Sequence, residues 1–355
     1  MTETDDSRSR RQPTIVEVAD RAGVAIGTVS RYLNGQPVRA GNRNQIAQAI
    51  QDLGYRRNAL AAAMKTDLTN TVGFMVPNIS DFHAGVLEHL SRLMRRQGRA
   101  LLTYCHNDDS ASVLDLLDFF DSHRVDALVM DGRASAADRI HEFIEDGTPV
   151  IFYDNDAEGP AADRVFVENR AASFRAVCHL LDIGHTRVAV LTGDTKVFAG
   201  RERYEGYRQA MLSRGIEIDP DYVLDSHWNE NEAYSGMLQL LTLPEPPTAV
   251  YCCNYNMAVG ALRRIKEQGL SVPDDISLVS FDDVPLFRLH EAGITAIAQP
   301  VAKIAETISS ILTTRLSDRT AAHAPHTITL DCDIILRGST RRLLTPENIS
   351  PRPRR

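Results

Sequence analysis

Residues 13–36 read PTIVEVADRAGVAIGTVSRYLNGQ, and the spacing of polar and apolar positions in this stretch sets the first element of the fold. Thr14 followed by Glu17 is a capping box: the Thr hydroxyl accepts from the third amide of a helix while the Glu carboxylate reaches back to the cap amide. The helix so opened runs to about Ala22 and stops at Gly23, the residue type that most readily adopts a left-handed C-terminal cap. A second helix fits Ile26–Leu33, stopped by Asn34 and Gly35. A third fits Asn42–Leu53, with Ile46, Ala49, Ile50 and Leu53 on one face and Gly54 after it. Two short helices separated by about three or four residues, the break marked by a Gly, have the spacing of a helix-turn-helix.

Outward from this stretch the charge is uneven. The 355-residue chain has a net charge of −8, which alone argues against nucleic acid. Yet Arg8 to Lys65 holds 10 Lys/Arg against 3 Asp/Glu, while the chain from Asp67 onward holds 29 basic and 41 acidic residues. A basic head on an acidic body assigns phosphate contact to one segment. Length implies about two or three domains. No run approaches roughly 18 apolar residues, so no membrane span is expected, and the polar N-terminus carries no apolar signal core. The five cysteines (Cys105, Cys178, Cys252, Cys253, Cys332) match no zinc or disulfide spacing, which suits a reduced, cytoplasmic chain. Residues 1–12 and 346–355 are expected to be disordered tails.

Beyond Thr71 the pattern changes. Apolar, β-branched runs are expected as strands at Val72–Val76, Ala100–Tyr104, Ala127–Met130, Val150–Tyr153, Val188–Leu191, Ala249–Cys252 and Ile276–Ser280. Between them, helices are expected at Val86–Arg96, Val113–Ser122, Arg170–Leu181, Glu202–Ser213 and Met257–Gln268. Continuous apolar strands alternating with helices imply parallel sheets covered on both faces. The strands outnumber those of one compact sheet, so two doubly wound α/β lobes are expected behind the all-α head.

The head resembles the DNA-binding headpiece of the LacI/GalR family of bacterial transcription regulators. The matching residues are Val18-Ala19, Ala22-Gly23-Val24, Thr28-Val29-Ser30-Arg31, Leu33-Asn34-Gly35 and Leu53-Gly54-Tyr55. The resemblance implies a headpiece over residues 13–57 that contacts DNA through Thr14, Val16, Ala25, Ile26, Gly27, Thr28, Ser30, Arg31, Asn34 and Tyr55. Thr28, Ser30 and Asn34 can donate to phosphate. Arg31 can fork onto a guanine edge, worth roughly 1–3 kcal/mol of discrimination, and Ile26 suits a thymine methyl. Ala25 stands where the family usually has Ser, so the recognition helix lacks its usual cap, a loss of about 1 kcal/mol. Gly27 has no side chain to read a base, and Arg39 replaces the Ser that often starts the third helix. Residues 58–70 correspond to the family's hinge helix and linker. Met64 falls on its minor-groove wedge, and Ala62 stands where the family often has Arg.

The body, to about Arg342, resembles the family's effector-binding core, which is related to periplasmic sugar-binding proteins. Fragments in matching order include Val76-Pro77-Asn78, Gly184-His185, Arg203-Tyr204-Glu205-Gly206-Tyr207, Phe281-Asp282-Asp283 and Gln299-Pro300. The resemblance implies type I periplasmic-binding-protein lobes within 71–345, lobe 1 at about 71–168 and 299–328, and lobe 2 at about 169–298 and 329–345. It places effector contacts at Phe82 and His83 on the loop after the first strand, at Asp154, at Arg203 on an RxxGY turn, and at Trp228, Asn254 and Asp282. Most of these lie just past strand C-termini, where open α/β sheets bind ligands. Two carboxylates, an Arg and an Asn can bracket neighbouring hydroxyls while an aromatic covers an apolar sugar face. Tyr255 stands where the family usually has Asp, and Glu168 where Asp is common.

No GxGxxG after a strand, P-loop, HExxH or GxSxG occurs, so no catalytic residue, metal or cofactor is expected. The expectation is a homodimeric, sequence-specific repressor of a pseudo-palindromic operator on double-stranded DNA, controlled by a sugar or sugar derivative. A purine- or nucleoside-responsive regulator of the same family is the alternative, and a solute-binding protein or enzyme on the same core is a more distant one.

Overall fold

The computed structural model describes residues 13–33, 35–56, 68–318 and 324–343. The expected tails, Asn34 and the hinge segment through Met64 lie outside those residues. The chain divides into two compact units, Met1–Thr69 and Asn70–Arg355.

In the first unit, helices α1 (Ile15–Ala22), α2 (Ile26–Leu33) and α3 (Ala40–Leu53) enclose a core of Val18, Ala19, Ala22, Val29, Ile46 and Ala49. The capping box is formed: the Glu17 amide donates to Thr14 Oγ1 at 3.4 Å and the Thr14 amide to Glu17 Oε2 at 2.6 Å. Gly23 and Gly54 end α1 and α3 at φ 64° and 62°, a region that costs a side chain about 1–2 kcal/mol. α3 starts at Ala40, earlier than the expected Asn42. Arg39 occupies its cap position without a side-chain bond to the helix.

The second unit holds two six-stranded sheets. The first is ordered β11-β5-β4-β3-β1-β2, from β1 (Thr71–Val76), β2 (Ala100–Cys105), β3 (Ala127–Met130), β4 (Val150–Tyr153), β5 (Asp163–Val167) and β11 (Thr327–Leu330). The second is ordered β12-β10-β9-β8-β6-β7, from β6 (Val188–Thr192), β7 (Val223–Asp225), β8 (Ala249–Cys252), β9 (Ser277–Phe281), β10 (Thr295–Ala298) and β12 (Asp333–Ile335). Every pairing is parallel except β10 with β12. The chain crosses between the lobes three times, after β5, after β10 and after β11. β11 keeps to the first sheet as far as Leu330, two residues past the expected end of lobe 1 at about 328.

The continuous apolar strands are buried end to end: β3, β4, β6, β8 and β9 have no exposed residue. Five strands were not legible, although the edge strand β2 was expected at Ala100–Tyr104. β5, β7, β10, β11 and β12 carry polar residues or only three or four positions, so no apolar run marks them. Helices Ala137–Glu145, Glu230–Leu241 and Val301–Ser317 likewise join those expected. Both sheets share a strand order in which the chain reverses direction beside β1 in one and β6 in the other. Ligands of doubly wound sheets bind at the carboxyl ends of strands at such a switch point.

Candidate functional site

The strand ends of both lobes face a cavity of about 300 Å³. All seven residues expected to meet an effector line it: Phe82, His83, Asp154, Arg203, Trp228, Asn254 and Asp282. Eight non-Gly residues have positive φ among the described residues, and five of them line this cavity: Asp108 (59°), Asp154 (63°), His227 (46°), Trp228 (62°) and Asp282 (71°). Left-handed backbone at non-Gly positions costs energy and persists where the surroundings enforce it, typically at binding sites. Here it turns side chains off strand ends and into the cleft.

Two expected placements need correction. Phe82 and His83 do not lie on a loop. They sit in the first turn of a helix that runs Asp81–Arg96, five residues longer at its start than expected, because Ser80 caps it by accepting from the His83 amide at 3.3 Å. Arg203 does not open a turn either; it lies inside the helix Phe198–Ser213. The Gly of that motif, Gly206, serves close approach. A Cβ at Gly206 would lie 2.3 Å from the Arg170 carbonyl oxygen, so Gly lets this helix pack against its neighbour Asn169–Asp182.

Arg203 is 4% exposed and fixed. Its Nε donates to Asn169 Oδ1 at 2.8 Å and its Nη1 to the Cys253 carbonyl at 2.7 Å. The guanidinium lies 3.6 Å from the Phe281 ring centroid and 5.5 Å from that of Trp228. Trp228 reaches this position because residue 193 is Gly: a Cβ there would stand 2.1 Å from the indole. Asn254 caps the helix Tyr255–Glu267, with Oδ1 accepting from the Met257 amide at 2.9 Å and Nδ2 donating to the Trp228 carbonyl at 3.4 Å. Each atom keeps one further site, a hydrogen on Nδ2 and a lone pair on Oδ1, that a ligand can use.

The two carboxylates differ. Burial alone would push the Asp154 carboxyl up, but the His83 imidazole 3.6 Å away and the charges of Arg203 and Arg133 outweigh it and hold the group below its ordinary value. At Asp282 burial wins over Arg203 and over the Gln299 amide, which donates at 2.7 Å, and the carboxyl is raised. His83 shares Nδ1 with Ser80 Oγ at 2.8 Å, and its buried Nε2 faces Asp154 Oδ2 at 3.6 Å with no closer hydrogen-bond partner among the described residues. Gln299 Oε1 is orphaned in the same way. Buried polar atoms left unpaired at a cavity wall are atoms a ligand can satisfy.

Several lining residues were not singled out from sequence. Arg133 donates to Asp131 at 2.7 Å and to Asp108 at 2.5 Å, and Asp131 also pairs with the fully buried His106 at 2.9 Å. Asn78 and Asp194 complete the polar wall, together with Tyr255, which the sequence did single out as standing where the family usually has Asp. Their positions just beyond β1, β3, β6 and β8 were a usable signal, since the strand ends were correctly found. The Cys252-Cys253 pair is buried, and burial pushes the Cys253 thiol up to about 12. Among the described residues no group of three His, Cys, Asp or Glu side chains could hold a metal ion, and no helix is long and apolar enough to cross a membrane.

On the headpiece, Ala25, Ile26, Gly27 and Arg31 are exposed on or beside α2, and Val16 is exposed on α1. Thr14, Thr28, Ser30 and Tyr55 are half-buried. Among the described residues of this unit, Val16 (45% exposed) and Ile26 (43%) are the large apolar side chains that stand out. α2 has no side-chain oxygen at Ala25; the Ala25 carbonyl accepts from the Thr28 amide at 2.8 Å.

Comparison with known proteins places these features. Residues 14–58 match the model of bacterial regulatory proteins of the lacI family, and residues 177–340 match a periplasmic binding protein-like domain. The HTH-type transcriptional repressor CytR of Escherichia coli (strain K12) is 30% identical over 332 residues, covering 93% of this chain and 97% of its own. The repressor PurR of Haemophilus influenzae (strain ATCC 51907 / DSM 11121 / KW20 / Rd) is 28% identical over 337 residues, covering 93% and 99%. A complex of the transcriptional regulator CelR with cellobiose superposes with a TM-score of 0.70 at 26% identity, covering 92% of this chain and 100% of that one. The lac repressor dimer bound to operator and the anti-inducer ONPF reaches a TM-score of 0.81 at 21% identity, covering 93% and 100%, which establishes the common fold.

Proposed function

The chain belongs to the lacI family of bacterial regulatory proteins as a helix-turn-helix transcriptional repressor, and on that premise we propose that it acts as a homodimer on a pseudo-palindromic operator under the control of a sugar or sugar derivative held between its lobes. The observation that carries the ligand reading is the pairing of Asp154 and Asp282 around the fixed Arg203, with Trp228 and Phe82 on the same cavity. Ionised carboxylates accept from hydroxyls, Arg203 and the Asn254 amide donate to them, and the aromatic faces cover the C–H face of a pyranose or furanose ring. A ligand lacking those hydroxyls would leave buried groups unpaired, which is the strongest form of discrimination a binding site has.

On the headpiece, exposed Ile26 and Val16 meet thymine methyls, Arg31 forks onto a guanine, and Thr14, Thr28, Ser30 and Tyr55 hold phosphates. Asn34 and the Met64 wedge belong to the same scheme. Effector binding changes the angle between the lobes and so the spacing of the two hinge segments; couplings of this kind are typically 1–3 kcal/mol.

A second reading, a nucleoside, draws on Tyr255, which adds an aromatic ring to the wall near Asp282 and could carry a base while the carboxylates hold its ribose. A thermal-shift series of free sugars and nucleosides separates the two. A ligand at 100-fold its Kd adds about 2.7 kcal/mol of stability, and the lone Trp228 gives a fluorescence readout from the cavity wall. A shift with sugars that disappears in Arg203→Ala supports the first reading. A shift confined to nucleosides selects the second, and a shift that survives in Arg203→Ala overturns the assigned cavity.

A further inference from the structure

The helix that carries Arg203, Phe198–Ser213, begins without a cap of its own. Val197 sits at its cap position with φ −87° and ψ 154°, and its side chain has no oxygen to offer. The first amides of a helix have no partner within it. One of them, the amide of Ala199, donates to Asn155 Oδ1 at 3.0 Å, and both residues are buried. Asn155 does not belong to this lobe. It follows β4 of the first sheet, whereas the helix packs on the second. The cap is supplied across the cleft.

The first lobe holds Asn155 firmly. Its amide donates to the Tyr153 carbonyl at 2.8 Å, closing a three-residue turn around Asp154 at φ 63°. Its carbonyl accepts from the Gly132 amide, also at 2.8 Å. That approach requires Gly, since a Cβ at residue 132 would lie 2.4 Å from the Ala157 nitrogen. One strained turn therefore presents two neighbouring side chains: Asp154 to the cavity and Asn155 to the opposite lobe. A second contact lies beside it, where the Phe198 ring on the first turn of the helix meets Phe166 of β5 with centroids 4.8 Å apart.

We propose that Asn155 is an inter-lobe cap, a positioning residue that satisfies the first turn of the Arg203 helix only while the cleft is closed. Opening the lobes strips that helix of its acceptor, so closure and the ordering of the first turn of the Arg203 helix are one event. A ligand that grips Asp154 on the same turn stabilises both. The inference stands on the two lobes and holds whichever effector the cavity takes.

The test uses the full chain without ligand, read by hydrogen exchange of the amides at 198–200 and by acrylamide quenching of Trp228, which lines the cleft. Asn155→Ala should speed exchange in that first turn about tenfold, the size of a lost cap, and raise quenching. Asn155→Asp, which keeps an acceptor, should restore both. The decisive variant is Asn155→Ala with Val197→Asp. A cap supplied from within the helix should restore slow exchange while quenching stays high, because the link between lobes is still missing. Val197→Asp alone, which leaves Asn155 in place, should raise quenching by competing for the Ala199 amide. It provides the same reading if the Ala variant fails to fold. Unchanged exchange in Asn155→Ala, or quenching that returns to the native value in the double variant, overturns the proposal.

Discussion

Among the described residues of the headpiece none of the side chains assigned to a partner is buried, whereas in the body most of those assigned to a partner are. Arg31, Ile26 and Val16 are exposed around six buried apolar residues. Arg203, His83, Asn254 and Asp282 are buried and hydrogen-bonded to the scaffold. A major groove is a surface read by protruding side chains. A small ligand is enclosed, and enclosure demands that each polar group already have a partner or be waiting for one. The two regions should therefore fail differently: the headpiece by losing its fold, the body by losing its ligand while remaining folded.

The largest expected effect falls on the headpiece. Ile46→Ala removes a fully buried side chain from its small core, typically about 2–5 kcal/mol. We expect DNA binding to vanish in a filter or anisotropy assay while the main calorimetric transition of the body stays in place. A body transition that moves equally would break the distinction between the regions. Next comes Arg203→Ala. It leaves the acceptors Asn169 Oδ1 and Cys253 O without their donor, at about 1–3 kcal/mol each. Melting temperature should fall and ligand-induced shifts should disappear, with operator affinity in the absence of ligand unchanged.

A smaller effect sharpens the same comparison. Thr14→Ala deletes the capping box of α1 and should cost the headpiece about 1 kcal/mol, seen as reduced protection of the amides of residues 15–17 without change in the body. The smallest effects separate the two cavity carboxylates by the sign of their pH dependence. Asp154 is lowered from 3.8, so its contribution to stability is present above that value and is lost as pH falls through its depressed pKa. Asp282 is raised from 3.8, so it opposes folding at neutral pH, and that penalty lifts as pH falls through its raised pKa toward 3.8. Asp282→Asn should thus melt slightly higher than the native chain at pH 7 and Asp154→Asn lower, with both differences shrinking in acid.

How much of this was legible in the sequence follows the same division. The headpiece is written in local signals, Thr14 with Glu17, Gly23 and Gly54, and its three helices lie within about two residues of expectation. In the body the fully buried strands announced themselves, while β5, β7 and β10–β12 depend on pairing with distant strands and carry no pattern of their own. All seven residues expected to meet an effector line one cavity, yet three of them were given the wrong local setting. The Ser80 cap outweighed the loop reading of Phe82 and His83, and Arg203 belongs to a helix whose cap lies in another lobe. No local rule can find Asn155: its partner is the amide of a residue 44 positions away. Arg133 stands just past β3, where a signal existed, but its bond to Asp108, 25 positions away, is not visible from sequence.

We infer that the basic head meets DNA and that the acidic body does not. The most direct test is the affinity of the full chain for genomic DNA fragments across a salt series, set against the chain from residue 67 onward. Neutralising each phosphate contributes about −0.9 to the slope of log K against log salt. We predict a sequence-selective, steep slope for the full chain and no measurable binding once residues 1–66 are removed. Equal slopes for the two chains, or no preference among fragments at physiological salt, would contradict it.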